Sequence, residues 1–196
     1  MGIPLSAAVT LGLLFFLSVG LNEQVAEGCE CMARHPQQLF CASDIVIRAK
    51  ITGKKVISTP HGLTAYSVKT IKTYKSVNKK PIRYIYSHQT SCEVTLENDE
   101  YLLSGNVEDG MIFIDLCNLV KHWNHVSSFE KRYLSIYQRG CDCEISPCTG
   151  ASCLIKMLQK KCLMRVKDLF IIDDEEALQS ICLQSSDGFC RWNKPR

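Results

Sequence analysis

Twelve cysteines in 196 residues, all of them after residue 28, constrain this chain more than any other feature. They are Cys29, Cys31, Cys41, Cys92, Cys117, Cys141, Cys143, Cys148, Cys153, Cys162, Cys182 and Cys190. An even count behind an apolar leader points to a complete disulfide framework made in an oxidising compartment. Zinc is the competing use for such thiols, because Cys29-x-Cys31 and Cys141-x-Cys143 resemble ligand clusters. Structural zinc sites favour C-x(2–4)-C pairs, however, and secretion disfavours free thiols. Spacing alone leaves the pairing of the twelve open.

The leader is the run Leu5 to Leu21, interrupted only by Ser6, Thr10, Gly12, Ser18 and Gly20. A polar stretch ending Val25-Ala26-Glu27-Gly28 follows. Small residues at Ala26 and Gly28 suit a signal peptidase, so residues 1–28 read as a signal peptide cleaved before Cys29. A membrane span wants about 20 predominantly apolar residues, and no second stretch of that kind follows. The mature chain is therefore expected to be soluble and extracellular, with no membrane partner. Cleavage would remove Glu23 and Glu27 and no basic residue, raising the formal net charge from +3 to +5. That balance suits acidic extracellular polysaccharide. No Asn-x-Ser/Thr sequon is present.

After the leader the pattern has a period of two. Ile45, Ile47, Ala49 and Ile51 alternate with Val46, Arg48, Lys50 and Thr52, which predicts a strand with one apolar face. A second strand is predicted over residues 65–74, with a phase change between Val68 and Ile71 that marks a bulge. Ile82, Tyr84 and Tyr86 suggest a third. Residues 101–105 and 111–116 flank Asp109-Gly110 and read as a hairpin. Five such strands match a small antiparallel barrel of the OB type. The period then lengthens: Ser127 and Glu130 form a capping box, and Phe129, Tyr133, Ile136 and Tyr137 recur at helical spacing up to Gly140. From Cys141 on, seven of the twelve cysteines accompany few apolar positions, so bridges must hold that part together. Asp173 and Glu176 predict one more helix start there. A boundary near Cys141 divides the mature chain into residues 29–140 and 141–196.

Longer segments carry a resemblance. The mature chain opens Cys29-x-Cys31 and continues His35-Pro36-Gln37, then Phe40-Cys41-Ala42-Ser43-Asp44-Ile45-Val46-Ile47-Arg48-Ala49-Lys50. Further on come Tyr84-Ile85-Tyr86, Tyr101-Leu102-Leu103-Ser104-Gly105, Leu116-Cys117-Asn118 with Trp123, and Asp187-Gly188-x-Cys190-x-Trp192. Together they resemble the tissue inhibitors of metalloproteinases across essentially all of residues 29–196. The resemblance implies a β-rich α+β fold: a five-stranded OB-like (netrin-like) barrel with flanking helices and a small disulfide-rich C-terminal subdomain. It implies bridges Cys29–Cys92, Cys31–Cys117, Cys41–Cys141, Cys143–Cys190, Cys148–Cys153 and Cys162–Cys182. It also implies a function. The chain would be a secreted inhibitor, not an enzyme, with no cofactor of its own and one monomer per zinc metalloprotease. The α-amine and carbonyl oxygen of Cys29 would chelate the catalytic zinc of a matrix metalloproteinase. Glu30, Cys31, Met32, Ala33, Thr90, Ser91 and Cys92 would contact the protease.

Departures from the family pattern sharpen that expectation. The residue after the first cysteine, usually Thr or Ser, is Glu30, which implies an altered target range. Met32-Ala33 stands where an apolar residue followed by proline is usual, so this segment is expected to be less rigid. The chain ends Arg191-Trp192-Asn193-Lys194-Pro195-Arg196, basic where some relatives carry an acidic tail.

Lys69, Lys72, Lys75, Lys79, Lys80 and Arg83 form a candidate sulfated-glycan patch. His122 and His125 flank Trp123, but H-x-x-H with no third ligand reads as a surface pair. G-x-S-x-G, H-E-x-x-H and P-loop patterns are absent, and nothing points to nucleic acid. The alternative function is that of a netrin-module-like protein binding matrix or receptors through the same barrel without blocking a protease.

Overall fold

The structure is a computed structural model that describes residues 28–60, 62–77, 81–154 and 161–194. The expected leader up to Glu27, Lys79 and Lys80 of the basic patch, and the final two residues lie outside these.

Five strands close into a ring. They are β1 (Ile45–Ile57), β2 (Leu63–Ser76), β3 (Tyr84–His88), β4 (Glu100–Glu108) and β5 (Met111–Phe113), in the order β1-β2-β3-β5-β4, with β1 also pairing β4. The ring follows from alternation in β1. Ile45, Ile47, Ala49 and Ile51 point inward to Tyr66, Val68, Ile85, Tyr101 and Leu103, forming one apolar core. Buried Tyr66 keeps its hydroxyl satisfied, donating to the carbonyl of Val94 at 2.8 Å and accepting the N–H of Leu96 at 3.3 Å. The phase change in β2 is a bulge. Arg48 faces Lys72 and Ala49 faces Thr70, leaving Ile71 as the extra residue. Asp109 and Gly110 both have positive φ, 49° and 78°, and join Glu108 to Met111 in a two-residue turn matched to strand twist. A short sixth strand, β6 (Val120–His122), adds to β4 and was not signalled by the sequence. Its three residues are too few to display a period.

Outside the ring, Val46 and Leu102 pack against helix α1 (Pro36–Ala42) and helix α2 (Ser128–Tyr133) through Phe40 and Tyr133, joined by Tyr137 just beyond α2. The capping box predicted for α2 is present, with Ser127 Oγ accepting from the Glu130 N–H and Glu130 Oε2 accepting from Ser127 N–H. Glu130 is buried, and Lys121 Nζ reaches both its oxygens at 2.8 and 2.9 Å. The helix expected to run up to Gly140 is shorter. It stops at Tyr133, and a 3-10 turn, Tyr137–Gly140, follows. The reason is packing at Gly140: a Cβ there would collide with the Cys182 carbonyl and the Gln37 side chain. The chain must leave the helix to bring Gly140 into that contact.

The tail holds β7 (Glu144–Cys148) parallel to β8 (Lys161–Arg165), helix α3 (Glu175–Leu178), and the antiparallel pair β9 (Ile181–Gln184) and β10 (Cys190–Asn193). Asp174 caps α3, one residue after the expected Asp173, because its carboxylate accepts N–H groups from both Ala177 and Arg165. Bridges join Cys29–Cys92, Cys31–Cys117, Cys41–Cys141 and Cys148–Cys153. In place of the implied Cys143–Cys190 and Cys162–Cys182, the structure joins Cys143 to Cys182 and leaves Cys162 and Cys190 unbridged. All four sulfurs share one buried cluster: Cys143 Sγ lies 3.9 Å from Cys162 Sγ, and those of Cys143, Cys182 and Cys190 lie within 4.8 Å of one another. Chain spacing does not encode which of such close neighbours pair. Burial pushes the Cys162 thiol up to about 12.

Barrel and tail share a buried polar seam across the boundary expected near Cys141. Gln37 donates to the carbonyls of Gly140 (2.7 Å) and Cys182 (2.9 Å) and accepts the Cys182 N–H (2.8 Å). His35 caps α1: its Nδ1 accepts the Gln37 N–H, so Nε2 carries the proton and donates to the Ala177 carbonyl at 2.9 Å. That arrangement requires the neutral ring. Burial lowers the His35 pKa from 6.5 to about 4, with the Ala177 bond and the charges of Glu130 and Asp174 pulling the other way. The unfolded chain thus takes up this proton more readily than the folded one. The stability it carries is complete above about pH 6.5, declines as pH falls, and is gone below about pH 4. The swing is about 3 kcal/mol. Melting curves from pH 7.5 to 4 should show a falling midpoint, and His35→Gln should flatten that fall while lowering stability at neutral pH. Parallel pH profiles for the two proteins would assign the acid limit to other groups.

Candidate functional site

A chain end ordinarily frays, because few contacts hold its backbone. Here the first residues of the expected mature chain are fixed twice. Cys29 is joined to Cys92 and Cys31 to Cys117, with Cα separations of 4.8 and 5.2 Å. The two bridges touch. Cys29 Sγ lies 3.8 Å from Cys31 Sγ and 3.9 Å from Cys117 Sγ. The loops they close span 63 and 86 residues, each worth about 4 kcal/mol in the chain-entropy account of disulfides.

Their partners sit on turns that are themselves braced. Asp115 and Asn118 build one: Asp115 Oδ1 accepts the Cys117 N–H at 2.8 Å, and Asn118 Oδ1 accepts the Asp115 N–H at 2.9 Å. Thr90 starts the other, its Oγ1 accepting the Cys92 N–H at 3.2 Å and its carbonyl the Glu93 N–H. Glu93 is anchored in turn, accepting from the Thr64 hydroxyl at 2.8 Å. The Leu116 N–H donates to the Cys92 carbonyl, so the two turns form one platform. Beside it, His88 stacks on Phe113 at 4.7 Å over a hollow that Glu108 and Asp115 also line.

All eight protease-contact candidates therefore come together on this edge: Cys29, Glu30, Cys31, Met32 and Ala33 on the pinned segment, with Thr90, Ser91 and Cys92 beneath it. Glu30, Met32, Thr90 and Ser91 are exposed; Cys29, Cys31, Ala33 and Cys92 are half-buried. Gly28 is exposed with open space about it. The segment, which lacks the usual proline, is tied across the fold. The Ala33 N–H donates to the Leu169 carbonyl at 2.7 Å, and Ala33 packs on the tail core. Proline has no N–H and could not make that bond. Leu169 was not among the residues the sequence singled out. No periodic signal links position 33 to position 169.

The basic patch is only partly assembled. Lys75 is committed elsewhere: its Nζ donates to the carbonyls of Cys41 (2.7 Å) and Phe40 (3.2 Å), closing the end of α1. Burial lowers its pKa, with Asp44 opposing. Lys72 lies over the Tyr74 ring at 4.9 Å, and exposed Lys69 pairs across the strands with Lys50. Arg83 is exposed on the approach to β3. Of the surface histidines, His122 bonds Asp99 at 3.2 Å and meets His125 edge-on at 5.7 Å. Trp123 is held between Arg48 and Lys131. Among the described residues, no helix is long and apolar enough to cross a membrane.

Comparison with known proteins matches this chain to the family model described as tissue inhibitor of metalloproteinase over residues 27–192. Metalloproteinase inhibitor 3 of Xenopus laevis is 36% identical over 193 residues, covering 94% of this chain and 90% of that protein. Metalloproteinase inhibitor 4 of Mus musculus is 35% identical over 207 residues, covering 96% and 91%. Metalloproteinase inhibitor 2 of Homo sapiens is 33% identical over 198 residues, covering 94% and 88%.

Proposed function

The chain belongs to the tissue inhibitor of metalloproteinase family, and on that premise we propose that it is a secreted inhibitor that blocks zinc metalloproteases with its mature N-terminus. The observation that carries the reading is the doubly pinned Cys29–Cys31 segment on an exposed edge. Cleavage after Gly28 would free the Cys29 α-amine. A catalytic zinc keeps three protein ligands and an open position. The neutral amine and the Cys29 carbonyl oxygen would fill that position and displace the water that serves as nucleophile. Because the bridges fix the segment beforehand, little conformational entropy is lost on docking. The inhibitor brings no metal of its own; the zinc is the protease's. Extending Cys29 by one alanine, or acetylating its amine, should abolish inhibition of a matrix metalloproteinase catalytic domain titrated at nanomolar concentration. An extended protein that still inhibits stoichiometrically would defeat the reading.

Glu30 is the side chain that would enter the S1′ pocket, the subsite just past the zinc. Desolvating a carboxylate in an apolar pocket costs several kcal/mol unless it is paired or protonated. The protease's own catalytic glutamate would add repulsion. Targets with a polar or basic S1′ site are therefore favoured. Glu30→Thr should lower inhibition constants against proteases with an apolar S1′ pocket by about tenfold or more; unchanged constants would show that Glu30 stays outside the pocket.

Sulfated glycans form the secondary part of the proposal, with Lys69, Lys72 and Arg83, helped by Lys50, as the cations and Lys75 left out. Exposed cations of this kind bind polyanions by charge and are screened by salt. Retention on heparin should fall steeply with added salt and weaken in Lys50→Ala/Lys69→Ala. Retention indifferent to both would remove glycans from the account.

A further inference from the structure

Two histidines meet where β6 runs into the turn that follows it. His122 ends the strand, and His125 ends the 3-10 turn Trp123–His125. With three residues per turn, side chains three apart in such a turn lie one above the other. The two rings accordingly meet edge-on, with centroids 5.7 Å apart. Rings that share one metal ion through bonds of about 2.0 Å hold their centroids about 4.5 Å apart at a right angle and about 6 Å apart when opposed. The observed separation falls inside that span.

Both rings are held in place. Asp99 Oδ2 lies 3.2 Å from His122 Nδ1. In the neutral ring Nδ1 therefore carries the proton and donates it, which leaves Nε2 with a free lone pair. A carboxylate behind an imidazole is the arrangement that orients ligating histidines in metal proteins. Asp99 is fixed in turn, its Oδ1 accepting the Glu100 N–H at 2.7 Å. The His122 ring also lies against buried Tyr101, 4.3 Å away and directly opposite in the β4–β6 ladder. The turn carrying His125 is braced by buried Val126, whose N–H donates to the Trp123 carbonyl, and by Arg48 and Lys131 on either side of Trp123. His122 is half-buried and His125 exposed, so an ion can reach them from solvent.

We propose that His122 and His125 bind a divalent transition-metal ion, copper(II) by preference, with Asp99 as the positioning residue. Among the described residues, the groups of three or more ligand atoms close enough to share an ion are built from cysteines alone. Water therefore completes the shell around these two rings. An open set of nitrogen and water oxygen suits copper(II) or nickel(II), and copper(II) heads the affinity order of the first-row divalent ions. Structural zinc sites, by contrast, use four protein ligands. This ion is separate from the zinc that the N-terminus would cap, and inhibition does not depend on it.

The test titrates the full mature chain with copper(II) at neutral pH in glycine, a chelator that keeps weak sites empty, and follows heat and electron paramagnetic resonance. A single ion should bind per chain, with imidazole nitrogen in its spectrum, and zinc(II) should bind more weakly. His122→Gln and His125→Gln should each abolish binding. Asp99→Ala should weaken it about tenfold with the imidazole signature retained. Melting temperatures should stay close to that of the unmodified chain, because these side chains lie at the surface. Copper held unchanged by His125→Gln, which removes the most exposed member, would overturn the proposal. Copper lost on acetylation of the Cys29 amine but kept by both histidine variants would assign the ion to the N-terminus, with the same consequence. A spectrum of sulfur ligands would move it to the cysteines. No binding above glycine would leave Asp99 and His122 an ordinary surface pair and sink the site outright.

Discussion

Two disulfides in van der Waals contact hold the Cys29–Cys31 segment against the barrel, and the site on that edge depends on this constraint. Without them, residues 29–33 would be held only by the bond from Ala33, and Glu30 and Met32 would have no fixed direction. With them, the backbone at Cys29 is anchored to the Thr90–Cys92 turn, and at Cys31 to the turn built by Asp115 and Asn118. Those turns are positioned by the ring of strands, through Thr64 on β2 and the Cys92 carbonyl. The barrel thus serves as a rigid mount for a short peptide. Rigidity is worth more here than area, since a preordered segment loses little entropy on meeting a partner.

The tail is part of the same mount. Gln37 and His35 lie on or next to α1, immediately after the pinned segment, and their buried side chains bond backbone groups of the tail. Buried polar groups of this kind are costly when unpaired, so the two halves are held in one register. Gly140 shows how tight that register is, as even a methyl group would strike the Cys182 carbonyl. Ala33 completes the tie by bonding to Leu169, which lends the segment the stiffness that a proline would otherwise supply. One residue type gives rigidity through a ring and the other through a partner across the fold.

Charge has a quieter role. Arg48 pairs with Glu100 and lies over Trp123, Lys121 neutralises buried Glu130, and Lys75 closes α1. Several of the basic residues thus serve the fold, and the cations left over for polyanions are fewer than the sequence count implies. Glu30 is the opposite case. It is exposed on the edge, with its cost set by whatever pocket it enters.

Much of this was legible before any coordinates. Alternation in residues 45–52 determined the inward face of β1, Asp109-Gly110 determined the β4–β5 turn, and Ser127 with Glu130 determined the start of α2, because each depends on neighbours within a few residues. The resemblance of whole segments brought the candidate edge together on paper. What the sequence could not carry was whatever depends on distances between remote positions. The shared cluster of four sulfurs set the Cys143–Cys182 pairing, close contact at Gly140 shortened α2, and a single N–H joined Ala33 to Leu169. Local patterns follow from backbone geometry, which each residue type biases directly. Contacts between positions remote in the chain follow only from how the packed elements meet.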